Sequence, residues 1–244
     1  MMRTVLITGA GQNIGRAVAV ALAEDGFNIV VNGLSNKTTC DETAEMVRAA
    51  GQEALVVMGD AGTRDGCLAM AKAGKDAFGQ IDVLVHNAAI RPSSPFLEMD
   101  EDEWHRVMDV NLMGSFWLTR ACLPGMVATG WGRLILFAGM NAIHGYNGRA
   151  HVSVSKHGNW GLVKSLGKEF GPNGITANMI SPGPIASEHA DPAMTAHIKD
   201  QEGRIPVGRL GEPYEVAATV SLLASDKGAF INGQMIQVNG GTET

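Results

Sequence analysis

Thr8-Gly9-Ala10-Gly11-Gln12-Asn13-Ile14-Gly15 stands where an apolar run passes into a stretch of helical composition. Glycines at such a turn let the main chain approach a phosphate closely, and the N–H groups of the following helix face the anion. Gly9, Gln12, Asn13, Ile14 and Gly15 are therefore candidate pyrophosphate contacts. Asn13 tolerates a left-handed backbone better than most residues, so the turn survives without a glycine there. Further along, three side chains of acid–base or nucleophilic character fall close together: Tyr146 in a loop flanked by Gly145 and Gly148, His151 at a helix start, and Lys156 one turn on. An imidazole with an ordinary pKa of roughly 6.5 suits proton transfer near neutrality. A lysine amine can also form a Schiff base with a carbonyl. Tyr146 and His151 each have a plainer reading as a pocket-lining or structural residue, and His144 shares it.

The elements around these residues alternate. Apolar runs at Thr4 to Ile7, Asn28 to Asn32, Ala54 to Met58, Ile81 to Val85, Arg133 to Phe137, Ile175 to Ile180 and Met235 to Val238 read as about seven buried strands. Helical stretches separate them at Ile14 to Ala23, Asp41 to Ala50, Arg64 to Phe78, about Asp100 to Met126, His151 to Phe170 and Pro213 to Ala224. Strands without polar alternation, each followed by a helix, predict an α/β fold: a doubly wound parallel sheet covered on both faces, in one domain spanning 1–244. The polar segment at about 187–204 interrupts the rhythm and is expected to be a substrate lid. No internal repeat or low-complexity tract occurs.

At 244 residues and 45% hydrophobic content, the chain can bury a substantial core. A formal net charge of -6 without a basic run argues against nucleic acid or an anionic membrane as partner, and favours a small molecule. Cys40, Cys67 and Cys122 are too few and too dispersed for a disulfide framework, which suits a reducing compartment. The first strand begins too early for a signal peptide to precede it, and no apolar run approaches the roughly 20 residues that span a bilayer. A cytoplasmic protein is expected. His189 and His197 lack a spaced carboxylate or thiol partner, so no metal site is expected.

With these segments in place, the chain resembles the short-chain dehydrogenase/reductase family, in particular its 3-oxoacyl-carrier-protein-reductase-like members, along nearly its whole length. The resemblance rests on the glycine turn, on Asp60 and Ala61 after the third strand, and on His86-Asn87-Ala88-Ala89 after the fourth. Asn111 in the long helix, Lys156, Pro182-Gly183-Pro184-Ile185 with Ser187, Gly208 to Pro213, and Asn239-Gly240-Gly241 extend it. It implies a Rossmann-type fold and a nicotinamide nucleotide held by Gly9, Gln12, Asn13, Ile14, Gly15, Asp60, Ala61, Asn87, Lys156, Pro182, Gly183 and Ile185. Such proteins are homotetramers packed through two long helices and the last strand.

The departures fall on the chemistry. The family's tyrosine slot, four residues before Lys156, holds Val152, and its serine slot falls on Gly139. Asn111 and Lys156 remain as candidate catalytic residues, with His151 and Tyr146 as replacements for the missing hydroxyls. The expected function is an NAD(P)-binding oxidoreductase of small carbonyls or alcohols with a rebuilt proton relay. The same site also admits altered chemistry of lyase, dehalogenase or hydrolase type, or a nucleotide-binding pseudoenzyme. Gly33 and Leu34 put no acid at the end of the second strand, and Ser35, Asn36 and Lys37 follow, which favours NADP over NAD.

Overall fold

The structure, a computed structural model, describes residues 2–140, 144–187 and 203–243. Seven strands carry the fold: β1 Thr4–Thr8, β2 Asn28–Gly33, β3 Ala54–Met58, β4 Val83–His86, β5 Gly132–Phe137, β6 Ile175–Pro182 and β7 Met235–Val238. All pair in parallel in the order β3-β2-β1-β4-β5-β6-β7. The helices between them are α1 Asn13–Glu24, α2 Lys37–Ala49, α3 Arg64–Phe78, α4 Glu101–Met108, α5 Gly114–Thr129, α6 Ala150–Phe170 and α7 Pro213–Ala224. The expected lid over 187–204 lies outside the described residues except at Ser187, Gly203 and Arg204, as do His189 and His197.

Why the strands are mainly apolar follows from where their side chains go. Val5 and Ile7 of β1, Ile29 and Val31 of β2, Val83 and Val85 of β4 and Ile135 of β5 enter one core layer with Val18 and Leu22 of α1 and Val216, Val220 and Leu223 of α7. Leu6, Val30, Leu84 and Leu134 point the other way, into a second layer with Met70 of α3, Leu118 and Met126 of α5 and Val163 of α6. Successive strand residues face opposite sides of a sheet, so a sheet covered on both faces needs apolar residues at every position.

Local chemistry sets several helix ends. Asn36 accepts the Thr39 N–H at 3.2 Å and starts α2 four residues before the apolar pattern does. Thr63 accepts the Gly66 N–H at 3.1 Å at the head of α3. Glu212 and Glu215 form a reciprocal capping box ahead of α7, with Pro213 at the first helical position. The long helix expected from Asp100 to Met126 is interrupted by a π-helical segment, Asp109–Met113, between α4 and α5. Such segments displace main-chain groups from the regular ladder.

The strand order reverses beside β1, whose neighbours are β2 and β4. The loops leaving β1 and β4 therefore diverge to opposite faces and open a crevice at the carboxyl ends of the strands, where ligands of doubly wound sheets bind.

Candidate functional site

The glycine turn occupies that crevice. Gly9 has φ 63° and Asn13 has φ 49°, the one positive value among the described non-glycine residues, so the asparagine takes up the left-handed conformation expected of it. A Cβ on Gly15 would stand 2.0 Å from the Gly9 carbonyl oxygen, so α1 can pack onto the turn only with glycine there. Gln12 makes no side-chain cap bond and the first turn of α1 holds no acid, which leaves its positive end facing the crevice. These features fit a pyrophosphate.

β4 ties the turn in place. Asn87 Nδ2 donates to the carbonyls of Gly9 at 2.9 Å and Thr8 at 3.3 Å, so this end of its side chain braces the loop. The Thr8 hydroxyl accepts the N–H groups of Asn87 and Ala88 at 3.1 and 3.0 Å and donates to His86 Nδ1 at 2.9 Å. His86 Nε2 then carries the ring proton and donates to the Val110 carbonyl at 3.1 Å. Burial, reinforced by the charge of Lys156, pushes the pKa of His86 down to about 4, so the ring is neutral and links β1, β4 and the π-helical segment. The sequence marked His86 only as a departure from a familiar tetrapeptide, and its role is set by partners remote along the chain.

Asp60 and Ala61 follow β3 on the same rim. The Asp60 carboxylate accepts the Gly62 N–H at 2.8 Å and pairs with Arg106 at 2.9 Å. Burial works against its ionisation, but the Arg106 hydrogen bond, the Gly62 N–H and the Arg106 charge outweigh it and hold the pKa below the usual carboxylate value. On the far side of the crevice, Gly183 N–H donates to the Val238 carbonyl at 2.9 Å, and a Cβ there would meet the Asn239 backbone at 2.6 Å. Pro184 and Ile185 are held against Gly211 by the Gly211 N–H to Pro184 carbonyl bond at 3.0 Å and an isolated bridge. Pro182, Gly183 and Ile185 thereby extend β6 into the crevice wall.

Asn111 lies where α6 passes the π-helical segment, bonded to Ser155, the residue before Lys156. Asn111 is fully buried; its Oδ1 accepts the Ile90 N–H at 2.9 Å, and its Nδ2 donates to the Ile90 carbonyl at 3.0 Å and to Ser155 Oγ at 3.3 Å. Its main-chain carbonyl, in the π-helical turn, accepts Asn159 Nδ2 at 2.7 Å. Lys156 is buried and donates to the Phe137 carbonyl at 2.7 Å. Burial and the nearby guanidinium of Arg91 bring its pKa down to about 7.

Gly139 and Val152 flank this amine along the chain. Val152 is fully buried, and Gly139 has φ 125°, with no atom of the described residues within 4 Å of where a Cβ would project. His151 is turned away from Lys156. Its Nδ1 accepts the Val152 N–H at 3.0 Å and its Nε2 meets Glu103 Oε1 of α4 at 3.2 Å, with no exposed surface. Tyr146 stays in the loop before α6, 46% exposed, between the His144 ring at 5.6 Å and the Arg149 guanidinium at 5.5 Å. The structure thus joins Asn111 to the strand-end loop and to the turn of α6 that bears Lys156, and places His151 and Tyr146 outside that group. Glu103 and Arg91, which the sequence did not single out, belong to the surroundings, and no local spacing marks either one.

Residues 9–243 match a family described as enoyl-(acyl carrier protein) reductase. The 3-oxoacyl-[acyl-carrier-protein] reductase of Staphylococcus aureus is 37% identical over 242 residues, covering 99% of this chain and 98% of that protein. The acetoacetyl-CoA reductase of Shinella zoogloeoides is 37% identical over 244 residues, with 99% and 98% covered. Among solved structures, a chain from Sinorhizobium meliloti 1021 assigned to the short-chain alcohol dehydrogenases superposes with a TM-score of 0.92 at 26% identity, covering 98% of this chain and 96% of that one.

Proposed function

Because the chain belongs to the short-chain dehydrogenase/reductase family, we propose that it is an NAD(P)-dependent oxidoreductase of small carbonyl or alcohol compounds whose proton relay runs without the family's tyrosine and serine hydroxyls. The observation that carries this reading is Lys156: a buried amine with a pKa near 7 at the strand ends that also bear a phosphate-shaped glycine turn. The nucleotide would rest on Gly9, Gln12, Asn13, Ile14 and Gly15 at its phosphates, on Asp60 and Ala61 at its adenine end, and on Lys156, Pro182, Gly183 and Ile185 at its nicotinamide end. It supplies the hydride chemistry. Asn87 acts by holding the turn in shape.

Val152 and Gly139 occupy the slots of the missing hydroxyls and can neither donate nor accept a proton. Lys156 is then the group suited to proton transfer, since a catalytic acid works best with a pKa near the operating pH. Asn111 positions it by holding Ser155, the residue before it, against Ile90. His151 supports the start of α6 through Glu103 rather than reaching the substrate. Tyr146 remains a lining residue, its hydroxyl on a loop with two left-handed glycines.

The absence of an acid at Gly33 and Leu34 supports NADP over NAD. Lys37 contributes less to that preference than its position suggests, because Asp41 already holds it at 2.7 Å. The relatives' 3-oxoacyl and acetoacetyl names make 3-oxo compounds the first substrates to assay. A homotetramer built on the outer faces of α5 and α6 and on the β7 edge is the expected assembly, with exposed Val154 and Phe230 as apolar contacts. It would be checked by light scattering.

The test is NADPH carrying deuterium at the reactive carbon, incubated with small carbonyl compounds. Deuterium in the product alcohol is the expected result. Raised melting temperature with NADPH or NADH but no label transfer would favour the reading of altered, non-redox chemistry in this pocket, for which the lack of both hydroxyls is the motive. No thermal shift with either nucleotide would overturn the proposal.

A further inference from the structure

The loop after β4 and the loop before α6 each carry an arginine, Arg91 and Arg149, and hydrogen bonds tie the two loops together. Ile90 is clamped at both its N–H and its carbonyl by Asn111, and Arg91 is the next residue. The loop then turns so that the Ser94 N–H donates to the Gly148 carbonyl at 2.9 Å, and Arg149 is the next residue on that side. Ser94 Oγ adds a bond to Glu103 Oε1 at 2.7 Å, and Glu103 also meets His151. Two loops from different parts of the chain are thereby clipped together, with Arg149 directly beside the clip and Arg91 three residues before it.

Neither arginine is neutralised. Among the described residues no carboxylate pairs with Arg91 or Arg149, and the one acid near the clip, Glu103, is spent on Ser94 and His151. Arg149 has only the Tyr146 ring below it at 5.5 Å. Burial and, after it, the charge of Arg149 lower the pKa of Arg91, and the charge of Arg91 adds to the burial that lowers the pKa of Lys156. Like charges held together by a rigid hydrogen-bonded frame, without a counterion, form a prepared receptor for an oxyanion, and the planar guanidinium suits a carboxylate or phosphate bidentately.

We infer that the substrate carries an oxyanion, a carboxylate or a phosphate, bound between Arg91 and Arg149 while its carbonyl or carbinol carbon lies toward Lys156. This rests on the oxidoreductase reading of the site, and it adds what that reading lacks, a substrate class. The anion would offset the repulsion between the two arginines.

The experiment compares acetoacetate with methyl acetoacetate, and dihydroxyacetone phosphate with dihydroxyacetone, in two measurements on the full chain saturated with NADP. Calorimetry reads binding, and NADPH oxidation reads turnover. One charged probe is expected to bind roughly 10- to 100-fold more tightly than its neutral partner, as befits hydrogen bonds to charged groups. The pair that discriminates identifies carboxylate or phosphate. Arg91→Met and Arg149→Met should each abolish the discrimination, while Arg91→Lys and Arg149→Lys retain part of it and guard against loss of folding. Equal binding of charged and neutral probes, no binding of any, or discrimination that survives both methionine variants overturns the inference. If discrimination is seen in calorimetry but NADPH is not consumed, the anion site stands and the redox reading falls. If NADPH is consumed equally with charged and neutral probes, the reverse holds.

Discussion

The amine of Lys156 donates to the main-chain carbonyl of Phe137 at 2.7 Å, two residues before Gly139. That bond is its one protein partner among the described residues, in a site with 3% exposure. Its pKa is lowered from 10.5 to about 7, so between these values the unfolded chain holds a proton that the folded chain does not. Stability of the nucleotide-free protein should therefore rise as pH increases from about 7 towards 10.5, by on the order of 3–5 kcal/mol in all. Urea unfolding across that window, compared with Lys156→Met, isolates the effect. A variant with the same slope as the parent would show that the amine is not desolvated.

His86 runs in the acid direction. With a folded pKa near 4 against an ordinary 6.5, the folded protein binds fewer protons than the unfolded chain between those values. Stability should fall as pH drops from 6.5 to 4, and His86→Gln should flatten this slope while costing about 1–2 kcal/mol near pH 7.5. Thermal denaturation at several pH values reads both.

Gly15→Ala is expected to remove nucleotide binding. Its Cβ would lie 2.0 Å from the Gly9 carbonyl oxygen and 2.9 Å from Asn87 Nδ2, so either the turn or the start of α1 must move. The thermal shift with NADPH should vanish, and stability should drop by roughly 1–3 kcal/mol, the range for overpacking.

Restoring the two hydroxyls should not be symmetrical. Val152→Tyr places a phenol one turn before Lys156 and should raise carbonyl reduction by about 10²-fold, the lower end for a positioned acid, at an overpacking cost of roughly 1–3 kcal/mol. Gly139→Ser meets no steric neighbour among the described residues but must adopt φ 125°, which a side chain resists by about 1–2 kcal/mol. Adding it to Val152→Tyr should yield little further rate. NADPH oxidation assays of the single and double variants check this, and a serine variant that outperforms the tyrosine one would contradict it.

The strand and helix rhythm was legible because each element obeys one rule. Ala54–Met58, Arg64–Phe78, Pro213–Ala224 and Met235–Val238 have the bounds that their apolar runs and punctuation imply. The start of α2 was not, because its first turn, Lys37 to Cys40, depends on the Asn36 cap rather than on an apolar face. The π-helical segment was invisible for a related reason: its composition is helical, and only packing against α6 selects the wider turn. The glycine turn could be read residue by residue, since steric freedom at Gly9, Asn13 and Gly15 is a property of those residues themselves.

By itself, then, the sequence determined the doubly wound sheet, the glycine turn and the identities of Val152, Gly139 and Lys156, because buried strands, tight turns and side-chain types are local properties. Only the tertiary structure decided that burial brings the pKa of Lys156 to about 7, that His151 meets Glu103, and that the loops bearing Arg91 and Arg149 are bonded together. Desolvation and charge pairing depend on which distant segments fold together, and Ser94 meeting Gly148 or Asn111 meeting Ile90 leaves no periodic trace along the chain.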